Sequence, residues 1–134
     1  GLKHANRLEQ VLARREADRQ GWDEALMLDA AGRPQCLTSM NLFAVMDGVV
    51  LTPPVDRSGV AGVMRNWILE EGARQAGGAV RIQRFGLARL GAADEIFASN
   101  AVAGVLPVAK LGVWSWPPGP ITSVLMETTR ELLS

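Results

Sequence analysis

The segment that most limits how this chain can fold is NLFAVMDGVVLTPP, at residues 41–54. The pair Asp47-Gly48 separates two apolar runs, and Asp-Gly readily adopts the positive φ angles that a two-residue hairpin turn requires. The flanking runs are rich in residues that favour strands. Pro53 and Pro54 lack backbone donors and end the second run. The segment therefore predicts a β-hairpin.

Helices and strands are predicted on both sides of this hairpin. Apolar residues at helical spacing predict a first helix from about Asn6 to Gln20, ended by Gly21, and a second helix from Val63 to about Gly77. Four other segments predict strands: EALMLD, AVRIQRF, EIFASN and GVLPVAKLGVW. A closing helix is predicted after Pro120, with an inward face of Ile121, Val124, Leu125, Thr128 and Leu132. The order of these elements predicts an α/β fold.

The composition is that of one globular domain. The chain has 134 residues, of which 48% are hydrophobic and 21% charged. Fourteen basic residues balance fourteen acidic ones, so we expect neither a nucleic acid nor an anionic membrane as partner. The sequence contains no run of eighteen apolar residues and no secretory signal pattern, so no membrane span is predicted.

Cysteine and histidine are too few for several kinds of site. The single cysteine, Cys36, cannot form an internal disulfide and suits the reducing cytoplasm. With one histidine, His4, the chain offers no cluster of zinc ligands, so we expect no metal. A Ser-His-Asp triad is poorly supported because no G-x-S-x-G motif accompanies that histidine.

Two other patterns carry little chemical information by themselves. Asp94 and Glu95 are adjacent, so on a strand their side chains would point to opposite faces and not form a catalytic pair. The segment GVAGVM lacks the residues of a Walker loop and the third glycine of a dinucleotide fingerprint. Backbone amides of such a loop, at the start of a helix, can hold a phosphate, but many such loops are simple turns.

Several segments, in this order, resemble the C-terminal half of the fold-type IV pyridoxal-phosphate enzymes: GLKHANRLEQVLARREA, DEALMLDAAG, NLFAVMDGVVLTPP, GVAGVMR and ADEIFASNAVAGVLPV. The family includes branched-chain and D-amino-acid aminotransferases and aminodeoxychorismate lyases. The resemblance runs from Gly1 to about Val108, and KHANRLEQ is most similar to the lyases. It implies that residues 1–134 form the large C-terminal domain, with a mixed sheet or pseudobarrel flanked by helices. It also implies a preceding N-terminal domain and a homodimer.

The resemblance implies a set of residues that bind pyridoxal 5'-phosphate. Lys3 would bind the cofactor covalently through a Schiff base, which requires a primary amine and which arginine cannot form. The backbone amides of Val63 and Met64 would hold the phosphate, with a side-chain contact from Asn100. Alternatively, Val63 and Met64 bury their side chains and Asn100 simply ends a strand, and both interpretations can hold together.

Cys36 departs from the family pattern. Most members have a glutamate five residues before the asparagine of NLF, where it keeps the pyridine nitrogen protonated, and that position is Cys36 here, with Gln35 one residue out of register. A thiol is a weak partner for a pyridinium, so the ring would withdraw electrons less strongly. This favours a lyase over an aminotransferase. The other interpretation is that Cys36 is a small buried hydrophobic residue.

The activity that the resemblance implies is a cytoplasmic lyase that converts 4-amino-4-deoxychorismate to 4-aminobenzoate and pyruvate in folate biosynthesis. Lys3 would act as the general base toward this small-molecule substrate. One alternative is an aminotransferase of the same fold, acting on D- or branched-chain amino acids. A second alternative is an interaction domain that keeps the fold without the cofactor.

Overall fold

The structure, a computed structural model, describes residues 4–6, 10–12, 24–55 and 62–133. In chain order the strands are β1 (His4–Asn6), β2 (Gln10–Leu12), β3 (Leu26–Leu28), β4 (Pro34–Leu37), β5 (Asn41–Met46), β6 (Val49–Thr52), β7 (Ala79–Ile82), β8 (Glu95–Asn100), β9 (Gly104–Leu111) and β10 (Trp114–Ser115). Helix α1 has three consecutive segments: Val63–Trp67, a π-helical turn at Ile68–Gly72, and Ala73–Gln75. Helices α2 (Leu87–Gly91) and α3 (Pro120–Leu132) follow.

The strands form a small and a large sheet. The small sheet has the order β1-β3-β4 and is antiparallel throughout. The large sheet has the order β10-β9-β8-β5-β6-β7, and β2 also pairs with β9. Its pairs are antiparallel except for β6 and β7, which are parallel and are connected through α1. The α/β class and the mixed sheet with flanking helices are therefore confirmed.

The predicted hairpin forms as β5 and β6. Asp47 and Gly48 make the turn with φ angles of 51° and 76°, so both residues use the left-handed region that Asp-Gly tolerates. The backbone N–H of Asp47 donates to the Asp94 carboxylate at 2.9 Å. Asp94 thus links the turn to the segment that enters β8.

The central strands β5 and β8 are covered on both faces. In β5, Leu42 and Ala44 belong to one apolar cluster, whereas Phe43 and Val45 belong to a second cluster that includes residues of α1 and α3. The rings of Phe43 and Phe97 stack across the two strands with centroids 4.6 Å apart. A strand buried on both faces needs apolar residues at consecutive positions, which explains the unbroken run NLFAV.

The predicted first helix is wrong in the part that the structure describes. Asn6 ends β1, and Gln10–Leu12 form β2, where Val11 pairs with Lys110 of β9. A short apolar run does not by itself distinguish a helix from a strand. Here, pairing with β9 gives the backbone groups of the run their hydrogen-bond partners. The rest of the predicted helix, residues 13–20, lies outside the described residues.

The closing helix is confirmed as α3, with Pro120 in its first turn, but its inward face is partly wrong. Ile121 and Leu125 are buried, whereas Val124 is 43% exposed and Leu132 is 56% exposed. Thr122 and Thr129 are buried in their place. The Thr129 hydroxyl accepts the backbone N–H of Val105 at 3.1 Å, so a polar contact with β9 helps set the rotation of the helix.

Glu95 caps α3 from a distant part of the chain. Its carboxylate is buried and accepts the backbone N–H groups of Thr122 at 2.8 Å and Ile121 at 3.4 Å. A Cβ atom added to Gly119, the N-cap residue, would overlap this carboxylate. Glycine at position 119 therefore allows Glu95 to reach the amides at the start of α3.

Gly119→Ala is expected to lower the free energy of unfolding by about 1–3 kcal/mol, because the new methyl group must displace the Glu95 carboxylate. Gly86→Ala is the matched control, since Gly86 is also an extended N-cap glycine but has nothing within 4 Å of an added Cβ. Its effect should stay within about 0.5 kcal/mol. Chemical denaturation measures both, and equal effects would contradict the close packing of Gly119 and Glu95.

Candidate active site

Three elements meet at one end of the central strands. Asn41 begins β5 and pairs with Ser99, which lies next to the last residue of β8, Asn100. Gly62, the N-cap of α1, lies beside Asn41: a Cβ added to Gly62 would be only 3.1 Å from Asn41 Oδ1. Helix α1 also packs against β8. The N-terminus of α1 and the Asn100 corner therefore lie at the same end of the sheet.

Among the described residues, no side chain caps the N-terminus of α1. Its N-cap residue, Gly62, is extended, with φ −114° and ψ 151°. The side chain of Val63 is 77% exposed, whereas that of Met64 is buried. The alternative that both side chains are buried therefore holds for Met64 only. Uncapped amides at a helix start, at the positive end of its dipole, can bind an anion.

The side chain of Asn100 is held in place by its neighbours. Its Oδ1 accepts the backbone N–H groups of Val102 at 3.0 Å and Ala103 at 2.8 Å, which closes the turn between β8 and β9. Its Nδ2 donates to the carbonyl oxygen of Ser39 at 3.4 Å. An asparagine amide has two N–H groups, and this contact uses one of them.

A turn from Leu37 to Met40 joins β4 to β5 beside Asn100. The N–H of Leu37 donates to the carbonyl of Met40 at 2.9 Å. Ser39, in this turn, donates both its N–H and its hydroxyl to the Glu24 carboxylate, at 2.8 and 2.5 Å. Glu24 and Ser39 were not among the predicted site residues, because a glutamate just before a strand usually lies at the surface.

Cys36 lies on β4 and is buried. It pairs with Met27 of β3, which pairs in turn with Ala5 of β1, so these three residues are adjacent across the small sheet. Leu37, the next residue, belongs to the core cluster. Because side chains alternate along a strand, the side chain of Cys36 points away from that cluster.

Gln35 is buried on β4 and takes part in a separate polar network. Its Nε2 donates to the carbonyl of Pro54 at 2.6 Å, and its Oε1 accepts Nη1 of Arg84 at 2.8 Å. The same Arg84 nitrogen lies 3.3 Å from the Asp29 carboxylate. Burial alone raises the pKa of Asp29, but N–H donation from Arg33 and Ala31 and the charge of Arg33 outweigh it and hold the pKa below its usual range.

Lys3, Asp94 and Glu95 are other residues that the sequence analysis considered. Lys3 is outside the described residues. Asp94 binds the hairpin turn and Glu95 caps α3, so the expectation that they form no pair is confirmed. In the described ranges, histidine, cysteine, aspartate and glutamate form no group of three or more that could hold a metal ion. No helix within those ranges is long and apolar enough to cross a membrane.

Comparisons with known proteins agree on one family. The sequence profile of the amino-transferase class IV family matches residues 1–111. The aminodeoxychorismate lyase of Vibrio harveyi is 39% identical over 132 residues, which cover 98% of this chain and 47% of the relative. This chain thus spans about half the length of that relative.

Solved structures give the same result. The 4-amino-4-deoxychorismate lyase of Pseudomonas aeruginosa superposes with a TM-score of 0.75 and 37% identity, covering 84% of this chain and 43% of that protein. The branched-chain amino acid aminotransferase of Escherichia coli superposes with a TM-score of 0.74 and 33% identity, covering 90% of this chain and 41% of that protein. Both lyases and aminotransferases are therefore similar to this chain.

Proposed function

The chain belongs to the amino-transferase class IV family, and on that basis we propose that it is the C-terminal, cofactor-binding domain of a pyridoxal 5'-phosphate-dependent aminodeoxychorismate lyase. The whole of residues 1–134 would form this domain. A preceding N-terminal domain and a second copy of the protein would complete the substrate site. Coverage of 47% of the Vibrio harveyi lyase supports the two-domain arrangement. The enzyme would act in the cytoplasm.

The phosphate end of the cofactor fits the N-terminus of α1. The amides of Val63 and Met64 would supply hydrogen-bond donors, and no side chain in the part of the chain that the structure describes caps this helix start. The second N–H of Asn100 supplies another donor at the same end of the sheet. The adjacent Ser99 hydroxyl is fully buried and has no hydrogen-bond partner within the described residues. This donor set suits a phosphate.

The other end of the cofactor would lie against the small sheet. In the sequence Lys3 precedes Ala5 by two residues, and the resemblance to the family gives Lys3 the covalent bond to the cofactor. Ala5 is adjacent to Met27 and Cys36 across the sheet, so the described part of β1 and Cys36 belong to one small sheet. Lys3 would bind the cofactor and move the proton at the substrate carbon that bears the amino group.

When bound, pyridoxal 5'-phosphate supplies an electrophilic carbon for the substrate amine and a ring that withdraws electrons. The observation that favours a lyase is the thiol of Cys36, on β4, where most of the family has a carboxylate. A thiol does little to keep the ring nitrogen protonated. A reaction that expels the enolpyruvyl group as pyruvate and forms an aromatic product depends less on that proton than transamination does.

The absorption spectrum of the full-length protein tests whether this domain carries the cofactor. A visible band that disappears on borohydride reduction is expected, because reduction fixes the bond between the cofactor and a lysine amine. A protein without that band after incubation with pyridoxal 5'-phosphate would instead be an interaction domain with this fold.

The variant Cys36→Glu separates the lyase from the aminotransferase. A carboxylate at this position should favour the protonated ring, and one pKa unit there corresponds to about 1.4 kcal/mol, or about tenfold in equilibrium. We expect side transamination to rise by about that factor relative to pyruvate release. Cys36→Gln is the control for side-chain size, since it fills the same buried position without the charge.

Both reactions should be assayed on the unmutated protein and both variants at equal cofactor occupancy. The unmutated protein is expected to release pyruvate from 4-amino-4-deoxychorismate and to exchange amino groups slowly. Fast transamination with no pyruvate release by the unmutated protein would identify it as an aminotransferase. That alternative is supported by the 33% identity to the Escherichia coli branched-chain amino acid aminotransferase.

A further inference from the structure

Glu24 is a buried carboxylate that binds an exposed residue. The side chain of Glu24 is buried, whereas Ser39 is exposed. One Glu24 oxygen accepts the Ser39 N–H at 2.8 Å and the other accepts the Ser39 hydroxyl at 2.5 Å. Burying a carboxylate is costly unless it is hydrogen-bonded, and both oxygens of Glu24 are bonded to this one residue. The arrangement therefore fixes Ser39 strongly.

The turn that contains Ser39 is also held by the residue after Glu24. The Thr38 hydroxyl accepts the N–H of Ala25 at 2.9 Å and donates to its carbonyl at 3.3 Å. Together with the bond from Leu37 to Met40, these contacts attach the whole turn to residues 24 and 25. The turn is thus rigid although two of its side chains are exposed.

Ser39 passes this restraint on to Asn100. The Ser39 carbonyl accepts Nδ2 of Asn100, while Oδ1 of Asn100 is held by the amides of Val102 and Ala103. We propose that Glu24 is a positioning residue for the phosphate end of the site: it fixes Ser39, and Ser39 fixes the Asn100 amide beside the N-terminus of α1. The proposal rests on the proposed function, which makes that amide a phosphate donor.

The positioning role of Glu24 predicts that its loss weakens binding of ligands that carry the phosphate and not of ligands that lack it. Loss of Glu24 removes the two bonds to the N–H and hydroxyl of Ser39, so the Ser39 carbonyl holds the Asn100 amide less firmly and a phosphate oxygen must order that amide when it binds. Pyridoxal has the ring and aldehyde of the cofactor without the phosphate, so its affinity should not depend on Glu24. The affinity for pyridoxal 5'-phosphate should fall by about tenfold, the effect of one charge-assisted hydrogen bond.

The experiment uses the full-length protein with Glu24→Ala and Glu24→Gln. Dissociation constants of the cofactor-free protein for pyridoxal 5'-phosphate, pyridoxal and inorganic phosphate are measured together with the thermal midpoint. Glu95→Gln is the matched control, because Glu95 is also a buried glutamate whose two oxygens each accept a hydrogen bond, but it lies at the opposite end of β8. It should lower the midpoint without changing the ratio of the two cofactor affinities.

We expect Glu24→Ala to lower the affinity for pyridoxal 5'-phosphate about tenfold and to leave the affinity for pyridoxal unchanged. Glu24→Gln should have a smaller effect, because its amide oxygen still accepts one bond. Equal weakening of both ligands, or a lower midpoint alone, would overturn the proposal. If Glu24→Ala does not fold, Glu24→Gln decides by the same ratio. If the unmutated protein binds no pyridoxal 5'-phosphate, the proposed function fails, and inorganic phosphate binding that does not depend on Glu24 overturns the positioning role separately.

Discussion

Lys3→Ala in the full-length protein is expected to lower turnover by at least about a thousandfold and to remove the visible band that borohydride abolishes. In the proposed function, Lys3 is both the residue bonded to the cofactor and the base that moves the substrate proton. Alanine has neither the amine nor the proton acceptor, so both roles are lost together. The cofactor should still bind, because the proposed phosphate contacts come from other residues.

Lys110→Ala is the matched control for Lys3→Ala. Lys110 is the one other lysine in the sequence and lies exposed near the end of β9. Its replacement removes the same charge from the protein and should leave turnover and the visible band unchanged. Undiminished product formation by Lys3→Ala, or a band lost in Lys110→Ala only, would remove Lys3 from the proposed mechanism.

Gly62→Pro is expected to lower the affinity for pyridoxal 5'-phosphate by about tenfold to a hundredfold, since one hydrogen bond to a charged group contributes about 1.5–3 kcal/mol. Proline holds φ near −65°, whereas Gly62 has φ −114°, so the chain entering α1 must rotate. That rotation displaces the amides of Val63 and Met64 from the phosphate. The dissociation constant of the cofactor-free protein measures the effect.

Two variants separate the possible causes of that loss. Met64→Leu keeps the backbone and replaces one buried apolar side chain with another, so the cofactor affinity should hardly change. Gly62→Ala adds a Cβ 3.1 Å from Asn41 Oδ1 but leaves φ free, so it measures crowding alone. Loss of cofactor in Met64→Leu with retention in Gly62→Pro would mean that side-chain packing, and not amide donation, is the role of this segment.

The elements that could be predicted from the sequence are those whose signals are local. The β5–β6 hairpin follows from Asp47-Gly48 and its flanking apolar runs, and the structure has it at those residues. The first predicted helix failed at Gln10–Leu12, because pairing with β9 depends on residues about a hundred positions away. The face of α3 was partly mistaken because Thr129 turns inward to bind Val105.

The residues of the candidate site were likewise predicted only in part. Val63, Met64 and Asn100 were predicted from the resemblance, and the structure puts the start of α1 and the end of β8 at one end of the sheet. The Glu24 and Ser39 pair could not be predicted, since neither residue type indicates such a contact. It joins residues fifteen positions apart, which the pairing of β3 with β4 brings together.

The π-helical turn in α1 has a geometric consequence for the site. A π-turn contains one residue more than the α-helical turn that it replaces, so the helix before and after it is offset by about 100° around the axis. Met64 before the π-helical turn and Ala73 after it therefore both pack into the second apolar cluster, although positions nine residues apart lie on opposite faces of a regular α-helix. Gly72 lets the Trp67 ring lie against the backbone at this offset, where a Cβ would be 2.6 Å from the ring. The extra residue therefore lets both ends of α1 bury side chains in one cluster while the helix still begins beside Asn41.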